Sequence, residues 1–273
     1  KDPVSYNQQL KAVSRIIAYR DADQANETLN YLPLSPLSEA DYPDTIVQSV
    51  YFRRFEVVDD ITSAILGYYR PSQMELVNGT WQPKVGETYR PFAANDPAAG
   101  FEIDTTNGNP ATLAAVTNYD LTKLGYTGPV DDNGNAFVKI AAVTPNVASK
   151  STVVNVYYHH QLVAVAPDKL PTAGTKVDPT DANSPVYPKN DYDPAAATTT
   201  VQRIIHHVYA AGTQINGVDV SGQAVAGLSD TLQEVTFYQD ARLDLVTGAI
   251  TNTGQFRAVK SATTQAGTTT SVT

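Results

Sequence analysis

The stretch QSVYFRRFEVVDDITSAI, residues 48–65, aligns without a gap on QEVTFYQDARLDLVTGAI, residues 233–250. Identities fall at Gln48/Gln233, Val50/Val235, Phe52/Phe237, Asp59/Asp244, Thr62/Thr247, Ala64/Ala249 and Ile65/Ile250. Upstream, Val13-Ser-Arg-Ile-Ile17 recurs as Val201-Gln-Arg-Ile-Ile205. The matches stand 188 residues apart (13 to 201) and 185 apart (48 to 233), so the intervening loop is three residues shorter in the second copy. Two blocks in one order at nearly one spacing define an internal duplication.

Both copies keep strand chemistry. Gln48, Val50 and Phe52 share one face, as do Gln233, Val235 and Phe237, while Ser49, Tyr51 and Arg53 or Glu234, Thr236 and Tyr238 fill the other. Period-two alternation with one preserved apolar face predicts a half-buried antiparallel strand. Asp59 to Ala64 and Asp244 to Ala249 read as tight turns in which the carboxylate accepts backbone N–H groups. Gly248 supplies a positive φ there; Ser63 takes its place in the first copy, which predicts a strained or altered turn.

Composition narrows the function. The 273 residues carry a formal charge of −9, which disfavours nucleic acid, whose affinity rests on basic surface. Charged residues are only 17% and hydrophobic ones 42%, enough for packed cores. The apolar runs 140–143 and 162–166 are far short of the roughly 20 residues that span a bilayer, so no membrane insertion is expected. No charged start followed by an apolar run opens the sequence, so no signal peptide is expected in it. Cysteine is absent, which removes disulfides, thiolate catalysis and Cys-based zinc sites. That suits a bacterial surface protein.

Between the copies, residues 111–125 carry the spacing of a short helix capped at Gly125. Asp131-Asp-Asn-Gly134-Asn reads as a hairpin turn and 153–158 as a strand. Strands flanking one helix predict a small β-grasp lobe. Residues 169–197 are a Pro-rich, semi-rigid connector containing Pro171, Pro179, Pro185, Pro188 and Pro194. The expected fold is therefore α+β but β-rich, with β-grasp-type lobes in an elongated tandem array. The expected domains are 1–95, 96–168, the linker 169–197, and 198–273.

In combination, Val201-Gln-Arg-Ile-Ile-His, Gln233-Glu-Val-Thr-Phe and Asp244-Leu-Val-Thr-Gly-Ala-Ile resemble the mucus-binding (Mub) repeat of lactobacillar surface adhesins. Gly125-Tyr-Thr, Val143-Thr-Pro, Val154-Asn-Val-Tyr and the segments 174–179 and 184–188 extend the resemblance over most of the chain. It implies β-grasp-like repeats along a fibre anchored in a Gram-positive cell wall, monomeric within a multi-repeat chain. It implies binding of mucin glycans and, in some repeats, of immunoglobulins. Rival expectations are host-protein recognition at a sheet edge and an inert spacer.

No catalytic pattern stands out. There is no Gly-x-Ser-x-Gly, phosphate loop or dinucleotide fingerprint, and no enzyme activity is expected. His159-His160 and His206-His207 are adjacent on strands, so neither pair can chelate one ion. Asp21, Asp23, Asn26 and Glu27 alternate like calcium ligands, but Asn26 stands where an EF-hand needs Gly and Leu32 where it needs Glu, so no cofactor is expected. The ligand-binding candidates are aromatics of an irregular excursion: Tyr68, Tyr69 and Trp81, with Asn78 and Gln82 nearby. Flat amphipathic rings beside amides suit sugars. Trp81, the sole tryptophan, reads more readily as a core anchor than as a ligand contact.

Overall fold

Every backbone donor and acceptor in a buried strand needs a partner, and here the partners come almost entirely from other strands. The computed structural model describes residues 4–24, 31–32, 41–92, 98–105, 109–265 and 268–272. They form two units: residues 1–120 with 128–159, and residues 121–127 with 160–273.

The first unit contains β1 (Val4–Asp21), β2 (Thr45–Asp59), β3 (Ile65–Tyr69), the hairpin β4 (Met74–Val77) and β5 (Thr80–Pro83), β6 (Arg90–Pro91) and β7 (Glu102–Ile103). Then come β8 (Val116–Thr117), β9 (Tyr126–Val130), β10 (Lys139–Ile140) and β11 (Thr152–His160). The main sheet runs β6-β3-β2-β1-β11-β9, with β7 on β2. β1 pairs antiparallel with β2 and parallel with β11.

One face of that sheet buries Val13, Val50 and Phe52 beneath Leu113, with Phe101, Ile103 and Val147 packed against them. Each such side chain contributes roughly 1.5–3 kcal/mol. The predicted alternation holds at Val50, Tyr51 and Phe52, which are buried, exposed and buried. From Phe52 to Val57 it fails, because both faces are covered and all six residues are buried. The charges this encloses are paired. Arg53 Nε lies 2.9 Å from Asp104 Oδ2, and Arg54 donates to Glu56 Oε1 at 3.1 and 2.9 Å. Removing one member of such a pair costs about 3–5 kcal/mol.

Arg15 is also buried. Its Nη1 donates to the Ala141 carbonyl at 2.9 Å, while Nη2 donates to Gln48 Oε1 at 2.7 Å and to the Ala114 carbonyl. One guanidinium thus ties the sheet to the chain lying over it. Farther along, the rings of Tyr19 and Tyr119 approach to 4.4 Å, and the Tyr158 hydroxyl donates to the Tyr119 carbonyl at 2.8 Å. Burial pushes the Tyr19 and Tyr158 hydroxyls well above the ordinary tyrosine value.

The β-rich expectation stands, but its helical component is corrected. Among the described residues the helical segments are short 3-10 turns at Pro71–Gln73, Thr122–Leu124 and Pro194–Ala197. Residues 111–119 are not helical: Leu113 exchanges backbone hydrogen bonds with Val143, Val116–Thr117 form β8, and Asn118 N–H donates to the Val138 carbonyl at 2.8 Å. Thr112, Val116, Thr117 and Asn118 are weak helix formers, and these partners outcompete a helix. The cap reading survives locally, since Gly125 closes the 3-10 turn at φ 83. Asp131 accepts from the Asn133 and Asn135 amides, forming the expected turn.

The second unit contains β12 (Leu162–Val165), β13 (Thr198–Ile205), the small pair β14 (Gln214–Ile215) and β15 (Val218–Asp219), β16 (Thr231–Asp244), β17 (Ile250–Gln265) and β18 (Thr268–Val272). Its sheet runs β12-β16-β17-β18, with β13 also on β16. The duplication is repeated in the register. Val13 faces Val50 and Arg15 faces Gln48; Val201 faces Val235 and Arg203 faces Gln233. Even the side-chain bond recurs, with Arg203 Nε donating to Gln233 Oε1 at 2.8 Å. β12 meets Ala241–Asp244, as the start of β1 meets Glu56–Asp59. Phe52 and Phe237 hold equivalent register positions but differ in burial: Phe52 is buried and Phe237 half-buried.

The two turns also coincide. Asp59 Oδ1 accepts from the Ile61 and Thr62 amides, and Asp244 Oδ1 from those of Val246 and Thr247. Ser63 adopts φ 56 where Gly248 has φ 77, so the serine copy keeps the shape and accepts left-handed strain. Its turn is exposed, whereas a Cβ on Gly248 would lie 2.4 Å from the Lys189 carbonyl oxygen. Ser63→Gly is therefore expected to raise stability by about 0.5–1 kcal/mol and Gly248→Ser to lower it by more than about 1 kcal/mol, both read from denaturant midpoints.

The Thr62 amide and hydroxyl, then the Ile61 amide, hold the Asp59 carboxyl below the usual range. Burial works to raise Asp244, but His160 and the Thr247 and Val246 amides outweigh it and leave it lowered too. A depressed folded value means stabilisation is complete above the ordinary aspartate value of about 3.9 and is lost as pH falls through the lowered one. In a pH titration by NMR, the Thr62 and Thr247 amide shifts should follow transitions whose midpoints lie below about pH 3.9.

Candidate functional site

Tyr51, Arg53, Phe55 and Val57 lie on the face of β2 opposite Phe52, because successive side chains alternate. Toward the turn this face is closed by the β4–β5 hairpin. Phe55, Val57, Tyr69 and Met74 are buried there with Trp81 packed against them. The Trp81 ring lies 5.2 Å from that of Phe55 at 49°, and the Arg53 guanidinium stands 5.7 Å from Trp81 and 5.6 Å from Phe55. β7 pairs with β2 and delivers Asp104 to Arg53; the Asp104 N–H donates to the Tyr51 carbonyl at 2.9 Å.

Beyond Arg53 the cover stops. Tyr51 is 39% exposed, and Leu10, directly across from Arg53, is 58% exposed. With Arg53 and Asn109 they line a depression of about 250 Å³. It offers an aromatic ring, an aliphatic wall, an amide and a guanidinium whose position Asp104 fixes. Such a surface can stack on the C–H face of a sugar and hydrogen-bond its hydroxyls.

Of the four residues singled out from sequence, Tyr69 and Trp81 share one apolar cluster with Phe55, Val57 and Met74. Tyr68 and Tyr69 are buried, at 7% and 8% exposure. Tyr68 packs so closely on Gly100 that a Cβ there would lie 2.1 Å from the ring, and the Tyr69 ring meets that of Tyr89 edge-on at 6.1 Å. Asn78 is exposed at φ 51 and, with Gly79 at φ 82, makes the two-residue turn of the β4–β5 hairpin. Trp81 is half-buried beneath Arg53, with its ring against the core. Tyr51, Leu10, Arg53 and Asn109, which line the depression, are not among the candidates singled out from sequence. The signal for Tyr51 was its position on the polar side of a strand whose other side is preserved.

The histidines are all engaged. His159 Nδ1 lies 3.1 Å from Asp23, and His160 Nδ1 lies 2.7 Å from Asp244 with little exposure. His206 meets Asp230 at 2.8 Å and His207 meets Thr231 at 3.2 Å. Of the calcium-like loop, Asp21 Oδ1 accepts the Asp23 N–H at 3.0 Å, while Asn26 and Glu27 lie outside the described residues. Among the described residues no group of three or more His, Cys, Asp or Glu is placed to hold a metal ion. No described helix is long and apolar enough to cross a membrane. A wider hollow of about 740 Å³ in the second unit, bordered by Asp240, Arg242, Gln255 and Arg257, lacks an aromatic wall.

Fold and register together define a β-rich, internally duplicated scaffold. No family model and no curated protein matches the chain. Three solved structures are similar to parts of it. The mucin-binding domain of a Streptococcus pneumoniae protein aligns over 57% of this chain and 96% of its own, at 14% identity and TM-score 0.31. A structure described as Mub-RV aligns over 58% of this chain and 60% of its own, at 18% identity and TM-score 0.32. The type 2 repeat of the mucus binding protein MUB from Lactobacillus reuteri aligns over 92% and 79%, at 14% identity and TM-score 0.24.

The two aromatics of the site differ in what they support. Trp81→Ala should destabilise the chain by about 2–3 kcal/mol in urea melts, less than a fully buried tryptophan because one side is open. Tyr51→Ala should stay within about 0.5 kcal/mol of the parent.

Proposed function

We propose that this chain is a piece of a non-enzymatic bacterial surface adhesin of the mucus-binding type, displayed outside a Gram-positive cell and anchored to its wall. The observation that carries the reading is repetition: the Arg–Gln pair and the aspartate turn recur in one register in both copies. The motif resemblance drawn from the sequence adds to it. In this reading the repeat boundary falls near residue 168, and the sheet is of a β-grasp type that lacks its helix, a reading supported by the neighbouring strands β2-β1-β11-β9 and the parallel pairing of β1 with β11.

The depression at Tyr51 is the proposed glycan contact, weak in one unit and strengthened by repetition. Linked weak sites gain roughly 10²–10⁴ in avidity with no new contact. Immobilised mucin tests this. The chain should bind native mucin and lose binding once the glycans are oxidised with periodate. Tyr51→Ala should weaken binding about tenfold, a loss of ~1.4 kcal/mol. Silence toward native mucin, or equal binding to the oxidised form, would defeat the reading.

A further inference from the structure

Charge and shape together decide what the depression at Tyr51 selects. Leu10 pairs with Arg53 and Ala12 with Tyr51. Paired residues share a face, so Leu10 and Tyr51 are diagonal neighbours about 7–8 Å apart. Both are exposed, and Asn109 stands half-buried beside them. The volume of about 250 Å³ lies below the roughly 300–1,000 Å³ of pockets that enclose a drug-sized ligand. It suits one sugar residue, not a chain of them.

The guanidinium in this depression does not make it an anion site. Arg53 Nε lies 2.9 Å from Asp104 Oδ2, and the two side chains are 8% and 0% exposed. Arg54, the next cation along β2, belongs to the other face and is paired with Glu56. The neighbouring positions of the open face, Ala12, Ser14 and Ser49, are uncharged. A carboxylate or sulfate brought here would lose water without meeting an unbalanced positive charge, which is unfavourable. What the surface offers instead is polar and neutral: the Asn109 amide, which both donates and accepts, next to the methyl groups of Leu10.

We infer that this depression recognises an uncharged N-acetylated sugar through its acetamido group. The pyranose ring stacks by its C–H face on Tyr51, the acetamido N–H and C=O pair with the Asn109 amide, and the acetamido methyl packs on Leu10. A plain hexose puts a hydroxyl where that methyl belongs and gains nothing from Leu10. Asp104 is a positioning residue: it fixes the Arg53 guanidinium and cancels its charge, so acidic sugars gain no advantage. The inference rests on the glycan reading of this depression and adds which sugar it takes.

The test titrates the isotope-labelled full chain with the methyl glycosides of N-acetylgalactosamine, galactose and N-acetylneuraminate, following the Asn109 side-chain amide by NMR. The N-acetylgalactosamine glycoside should bind at least about tenfold more tightly than the galactoside. The neuraminate carries an acetamido group and a carboxylate together, and should bind more weakly than the N-acetylgalactosamine glycoside. Leu10→Ala should bring the two galactose-type sugars to equal affinity while leaving the melting temperature unchanged, because the side chain is exposed. Equal affinities in the parent chain, tightest binding of the neuraminate, a preference that survives Leu10→Ala, or no response at Asn109 overturns the inference. Capture by native mucin alongside any of these leaves the adhesin reading standing. Sugar binding as expected by a chain silent toward mucin would remove that reading alone.

Discussion

A single buried guanidinium sets the architecture of the first unit. Arg15 sits in the centre of the sheet, yet its donors reach Gln48 on the neighbouring strand and the carbonyls of Ala114 and Ala141 in the overlying chain. A buried cation without such acceptors would be strongly unfavourable. The covering layer therefore cannot shift without stranding the charge, and its extended path follows from that demand. Leu113 and Val147 are held over Val13, Val50 and Phe52 by the same constraint.

The second unit repeats the pair: Arg203 and Gln233 face each other as Arg15 and Gln48 do, and Arg203 Nε donates to Gln233 Oε1 at 2.8 Å. Register is fixed by the ladder and the turn, burial by what lies above. The copies separate after Ile65 and Ile250. Pro71 ends β3 in a 3-10 turn and sends the chain into the β4–β5 hairpin, while β17 runs on for 16 residues. Tyr68 and Tyr69, buried in the first copy, stand where the second has Thr253 and Gly254.

The duplication, the aspartate turns and the Asn133-Gly134 turn were legible because each rests on local chemistry: a carboxylate near amides, or a glycine at positive φ. The false helix at 111–125 was also a local reading, overruled by partners at 138–143 that no window of sequence contains. Asn78, a candidate ligand amide, also stands with Gly79 in the two-residue turn of the β4–β5 hairpin, whose ordinary signature the pair carries. Of the site, Arg53 was hardest to find. Its meaning depends on Asp104, some fifty positions away, and on a tryptophan lying beneath it.

Folding unit and sequence period do not coincide. β12 precedes the proline-rich connector yet shares a ladder with β16, and residues 121–127 also fall in the second unit, where the Gly125 carbonyl accepts the Gln161 N–H at 2.8 Å. The first copy thus supplies a strand and a loop to the unit that holds the second. Cutting the chain at the proline-rich connector would strip β16 of β12, so the place where the sequence repeats and the place where an intact folding unit can be divided off are different.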